Sequence, residues 1–211
     1  MRPTGGQVLP GLRHTCFISR HRVSDRNNDF VNYGAVEYLA IGKYALNNRA
    51  LLRFDLKDVP QSAKVAEASL QIYMYAKRRN SGLLAYEVLK PWGEGRGTGS
   101  RWIRKPVMEG EASWLCHQYP SKWDQGGCEA PRKDRSAKPA GEAAAIDGEK
   151  GWASVNIDPR LVQRWIEKPE TNLGLLLTDK TEANGTECKY RSKEFEDTRM
   201  RPRLVIAFSG G

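Results

Sequence analysis

Short runs that alternate apolar and polar residues, one lone stretch of helical period, and long crossovers punctuated by glycine together predict an all-β protein. The crossovers favour a jelly-roll β-sandwich of two antiparallel sheets, with one short helix and long loops, over a meander. A chain of 211 residues is long enough for one such domain and does not require two. The expected organisation is an extended lead-in over residues 1–13, then a single β-sandwich domain over 14–211 with a mobile insert near 126–150.

The stretch 49–56 is the clearest strand. Ala50, Leu52, Phe54 and Leu56 point one way, while Arg49, Leu51, Arg53 and Asp55 point the other. One face suits a core and the other carries two guanidinium groups; Asp58-Val59-Pro60 then turns the chain. Residues 68–75 repeat the device, with Ala68, Leu70, Ile72 and Met74 apolar and Ser69, Gln71, Tyr73 and Tyr75 facing away. If both strands lie in one sheet, arginines and tyrosines share its outer surface.

The remaining elements follow in order. Residues 15–20 read as a first strand and 36–41 as a second, with Leu39 and Ile41 as core candidates. The basic segment from Lys77 to Gly82 reads as a hairpin tip, and 83–89 as the next strand. Between 96 and 151 the chain is mostly loop, pinned by Trp114 and Trp123. A strand over 152–157 runs into Asp158-Pro159, an N-cap followed by proline, which opens a helix with Leu161, Val162, Trp165 and Ile166 on one side. Residues 172–178 read as a buried strand, Asn184-Gly185 as the strongest hairpin signal and as part of a glycosylation sequon, and 190–195 and 203–208 as closing strands.

Composition bounds the function. Hydrophobic content of 39% and charged content of 28% fit a soluble globular protein, and there is no apolar run of about 18 residues to span a membrane. The first residues lack the apolar region of a signal peptide, which leaves a cytosolic protein or a mature domain from a secreted parent. A formal net charge of +9 predicts attraction to polyanions, with a merely solvated basic surface as the plain alternative. Cys116 and Cys128 bracket a loop and could form a local disulfide; Cys16 and Cys188 could pair if their strands are neighbours. Three connectivities are open to four cysteines, and four buried thiols are the equal alternative. The oxygen-rich segment Asp25 to Asp29 could hold a structural calcium, although the EF-hand spacing is absent and an Asx-rich turn is the simpler expectation. No cofactor is required.

The order of segments resembles the DNRLRE-type domain, also classed as carbohydrate-binding module family 96. The matching pieces are Asn32-Tyr33-Gly34, Leu39 to Gly42, Arg49 to Leu56 and Ala68 to Tyr73, then Trp92-Gly93-Glu94-Gly95 and Ala112-Ser113-Trp114. Val162 to Trp165, Asn172 to Leu175 and Arg201 to Leu204 complete the set. The resemblance implies a jelly-roll module of a larger secreted or cell-surface protein that binds polysaccharide, with alginate as the ligand class. The charged, Ala-rich insert around 129–150 and the cysteines depart from that pattern.

The chemistry of an acidic polysaccharide suits these residues. A uronate carboxylate takes two parallel hydrogen bonds from an arginine, and a sugar ring lays its C–H face on an aromatic plate. An open face carrying Arg49, Arg53, Tyr73, Tyr75, Arg191 and Lys193 would supply both, joined by Arg20 and by Trp102 in its basic loop. Arg49 or Arg53 could instead be buried in structural ion pairs, and the tyrosines could lie under loops. A jelly-roll polysaccharide lyase is the enzymatic rival, but no Gln-x-His strand or Tyr-Phe-Lys motif is present. Nucleic acid is a weaker rival, since no helix-turn-helix, zinc-finger or RRM signature appears. A structural or adhesive domain is the third. The expectation is therefore a non-catalytic module for an acidic, alginate-like polysaccharide.

Overall fold

The computed structural model describes residues 6–9, 12–19, 31–44, 46–79, 81–98 and 107–209. In chain order the strands are β1 (Gly6–Leu9), β2 (Leu12–Ser19), β3 (Tyr38–Tyr44), β4 (Leu46–Phe54), β5 (Val65–Lys77), β6 (Leu83–Glu87), β7 (Cys116–Gln118), β8 (Ser121–Lys122), β9 (Gly141–Ala143) and β10 (Gly151–Ile157). The helix α1 (Pro159–Glu167) is followed by β11 (Leu175–Asp179), β12 (Cys188–Arg191) and β13 (Arg203–Phe208). The protein is all-β, as its alternation predicts. β1 lies within the stretch read as an extended lead-in.

Eight strands close into an antiparallel barrel in the order β5, β10, β9, β6, β11, β4, β3, β12 and back to β5. Closure depends on the length of β5. One edge of β5 pairs with β10 from Ala68 to Met74; the other is divided between β13, up to Gln71, and β12, from Met74. β1 extends the sheet beyond β13, and β2 pairs with β4.

Two sequence-read hairpins are crossovers instead. Lys77 to Gly82 links β5 to β6, which are not neighbours, and β11 and β12 on either side of Asn184-Gly185 do not pair. Both edges of β11 are already taken by β4 and β6. Gly185 (φ +91°) therefore forms a turn whose N–H donates to Lys43 O at 2.7 Å.

The barrel interior holds the expected alternate residues: Leu52 and Phe54 of β4, Leu70, Ile72 and Met74 of β5, and Leu175 and Leu177 of β11. From α1 come Leu161, Val162, Trp165 and Ile166. Asp158 caps that helix by accepting from Arg160 N at 2.9 Å, as the Asp-Pro pair predicts.

A second core lies outside the barrel wall. Leu51 and Leu176 point outward yet are 0% exposed, because the chain between β6 and β9 covers them with Val88, Trp92, Ala112, Trp114, Trp123 and Cys128. Leu176 belongs to an all-apolar run, the pattern of a strand buried on both faces. The segment expected to be mobile is tied to this layer through Asp134, which is fully buried and accepts from the N–H groups of Asp124, Gln125 and Ala130.

Asn32 joins the covering layer to the barrel. Its Nδ2 donates to Glu94 O at 2.6 Å and Ala112 O at 2.9 Å, and its Oδ1 accepts from Gly34 N and Gly97 N. Gly95 has φ +75°, and a Cβ there would sit 2.5 Å from the Asn32 amide, so only glycine fits. An Asn32→Ala change strands several buried backbone groups and is expected to cost about 3 kcal/mol or more. Urea denaturation checks this; a loss below about 1 kcal/mol would mean that water replaces the amide.

Candidate functional site

The outer faces of β10, β5, β12 and β3 carry interleaved aromatic rings and cations. Alternation along β5 turns Tyr73 and Tyr75 outward, because Ile72 and Met74 fill the barrel. Trp152 is the direct partner of Tyr73 on β10, and their rings meet edge-on with centroids 5.4 Å apart. The Arg203 guanidinium lies over the Trp152 ring at 4.4 Å, while its Nε donates to Gln71 Oε1 at 2.7 Å. Further along, Arg191 is stacked between Tyr75 at 3.8 Å and Phe195 at 3.7 Å. Lys189 lies over Tyr38 at 4.8 Å, and Arg78 over Tyr44 at 3.5 Å.

Three of the expected residues, Tyr73, Tyr75 and Arg191, are brought together here. Partial burial raises the Tyr75 hydroxyl pKa against the opposing pull of Arg191, so at neutral pH the phenol is a neutral donor. Arg191 Nε is buried without a hydrogen-bond partner among the described residues. A guanidinium held between two rings has given up hydration on both faces.

Arg49 is elsewhere. It is 5% exposed beneath the covering layer, where Nε and Nη2 donate to the two Glu182 carboxylate oxygens at 2.7 and 2.8 Å. Its Nη1 donates to Gly127 O at 2.8 Å and pairs with Glu129. Burial works to lower its pKa, but Glu182 and Glu129 outweigh that and raise it. Arg49 is therefore an internal tie, and its expected place on an open face is corrected. Leu51, next outward on the same strand, supplies the reason: an apolar outward residue needs a cover, and the cover buries its neighbour.

Arg53 and Lys193 belong to a third group around Glu94. Arg53 lies over Trp92 at 5.8 Å, and burial together with nearby Arg13 lowers its pKa against the pull of Glu94. Lys193 turns away from Arg191 to meet Glu94 at 3.4 Å and also pairs with Glu194; these carboxylates raise its pKa against the effect of burial. His14 Nδ1 meets the same Glu94 carboxylate at 3.2 Å. Lys193 thus already has carboxylate partners, and Arg53 is held over Trp92. Arg20, Trp102 and the proposed calcium segment lie outside the described residues, within which no group of three or more His, Cys, Asp or Glu side chains is placed to hold a metal.

All four cysteines are buried and no disulfide joins any two of them. The proposed partners face different ways: Cys116 Sγ is directed to Pro120 O, Cys128 Sγ to Asp134 O and Cys188 Sγ to Arg79 O. Cys16 lies in the outer core and Cys188 in the barrel core, on opposite sides of the wall. Burial pushes the Cys16 thiol up to about 12 and raises the others, which suits inert thiols.

Trp152, Arg203, Lys189, Tyr38 and Phe195 were not singled out from sequence. Two had a usable signal. Trp152, Ser154 and Asn156 alternate with the buried Ala153, Val155 and Ile157, and Arg203 alternates with Leu204, so both could have been placed outward. Phe195 lies past the end of β12, where no period applies.

No protein-family model and no curated protein matches this chain.

Two outcomes separate structural from surface charge. Arg49→Met leaves Glu182 and Glu129 facing each other and is expected to destabilise by about 3 kcal/mol, whereas Arg203→Ala should cost less than about 1 kcal/mol. Guanidinium denaturation of both variants checks the contrast, and equal losses would refute it. A pH profile tests Glu187, whose carboxyl is raised above its ordinary 4.5 by burial, opposed by Lys189 and Arg78. A raised carboxyl pKa favours the folded state at low pH, and that contribution is lost as pH rises from 4.5 through the folded-state value. Glu187→Gln should accordingly show a smaller drop in Tm across that window than the parent. An unchanged drop would assign the slope to another group.

Proposed function

We propose that this chain is a non-catalytic carbohydrate-binding module that takes an acidic, alginate-like polysaccharide on the outer face of β10, β5, β12 and β3. The observation that carries the reading is the alternation of plates and cations on that one face: Trp152 with Arg203, and Tyr75 with Arg191. Rings offer stacking surface to sugar C–H faces, and the Nη end of each guanidinium offers paired donors to a carboxylate, since Arg203 Nε is held by Gln71 and Arg191 Nε is buried. The rigid strands beneath, with Ile72, Met74 and Val155 fully buried, hold these groups in place before a ligand arrives. The net charge of +9 would speed the approach of a polyanion.

The reading includes the jelly-roll form of the barrel, which the non-sequential strand order and the divided edge of β5 support. It also takes the chain as one module of a secreted or cell-surface protein. Among the described residues no helix is long and apolar enough to cross a membrane.

Gel retardation against alginate, pectate, heparin, a neutral glucan and single-stranded DNA tests the proposal. Retardation by a uronan is expected, weakening with salt as exposed charges are screened over about 8–10 Å. Arg191→Ala and Trp152→Ala should each weaken binding about tenfold, the scale of an aromatic or arginine anchor at a binding surface. Equal retardation by every polyanion would reduce the face to bulk charge, and growing absorbance from unsaturated uronate would make the protein a lyase.

A further inference from the structure

The aromatic–cation face continues into an open trough. Its volume is about 440 Å³, and Ser69 and Glu67 of β5, Asn156 of β10, Val205 and Ala207 of β13, and Pro159 line it. Strand register makes the continuity explicit. Going along β5, Tyr73 stands opposite Trp152, Gln71 is flanked by Ser154 and Arg203, and Ser69 by Asn156 and Val205. Large groups therefore crowd one end, and past them the side chains shrink to serine, valine and alanine, with the exposed Glu67 at the far limit. A sheet surface that steps down in this way leaves a channel parallel to the strand.

We infer, resting on the binding function proposed above, that the face and the trough form one elongated site, which takes an internal stretch of an acidic polysaccharide chain lying along β5. From Tyr75 to Glu67 the strand runs about 27 Å at its usual rise of about 3.4 Å per residue, enough for several sugar rings in line. Charge orients the occupant. The cations Arg191, Lys189 and Arg203 gather at the aromatic end, so carboxylates sit there. Past them come the neutral donors and acceptors Gln71, Ser154, Ser69 and Asn156, which suit sugar hydroxyls, and the Glu67 carboxylate bounds the far end, where no uronate carboxylate is placed. The trough opens along the sheet surface, which favours a continuing polymer over a single sugar or a chain end.

Titration of the intact protein with oligouronates of increasing length tests the inference. Affinity should keep rising beyond the disaccharide and level off only at a chain of several units. Ser69→Tyr and Asn156→Tyr each fill the trough from a solvent-facing position on a strand that tolerates tyrosine. Both should remove the gain from added length, while Arg191→Ala weakens every length. Affinity that is already maximal at the disaccharide, or that Ser69→Tyr and Asn156→Tyr leave intact for long chains, overturns the elongated site but keeps the binding function. Failure of the unaltered protein to bind uronates of any length overturns both. Sedimentation of the same samples covers the other occupant: a dimer that Ser69→Tyr dissociates, with glycan affinity unchanged, would assign the trough to a second copy and overturn the inference.

Discussion

The buried guanidinium of Arg49 is the constraint on which the choice of faces depends. Its guanidinium meets Glu182, Glu129 and the Gly127 carbonyl in one place, with Trp114 stacked nearby at 5.4 Å. Those partners come from the chain on both sides of β10, so a single side chain draws the long covering segment and the β11–β12 crossover onto the outside of β4. A charge removed from water requires such complete pairing, because an unpaired ion in a low-dielectric site is far more costly than the pairing geometry is demanding.

Covering one side of the barrel leaves the other side open. Trp92, Trp114 and Trp123 are consumed as the outer core over Leu51 and Leu176. On the β10–β5–β12 side no comparable segment lies over the sheet among the described residues, and the residues that alternate outward are half-exposed rings and cations. The same residue types thus do different work: an arginine under the cover closes an ion-pair network, and an arginine on the open face is stacked but has an edge to offer.

The aromatic–cation face owes its order to packing more than to loops. Apart from Phe195 and Arg78, its residues stand on strands whose inward neighbours are buried, so their spacing is set by the pleat and by cross-strand register. β12 takes over the edge of β5 where β13 leaves it, with a register shift between Lys189 and Tyr190. That handover puts Arg191 beside Tyr75 and keeps Arg203 beside Trp152, two stacked pairs along one continuous strand.

The sequence alone determined the all-β class, the inward residues of β4 and β5, the helix that starts at Asp158-Pro159, and the outward placement of Tyr73, Tyr75 and Arg191. Each follows from a local rule: a period of two, a cap, or a fixed φ, read within a few residues. Only the tertiary structure decided that Arg49 lies under a cover, that Arg53 lies over Trp92 and Lys193 turns to Glu94, that the cysteines stay apart, and that Asn184-Gly185 turns without closing a hairpin. These outcomes depend on which strand edges are occupied and which faces are covered by segments tens of residues away. Alternation says which two sides a strand has; the long-range contacts of Arg49, Asn32 and Asp134 say which of them meets water.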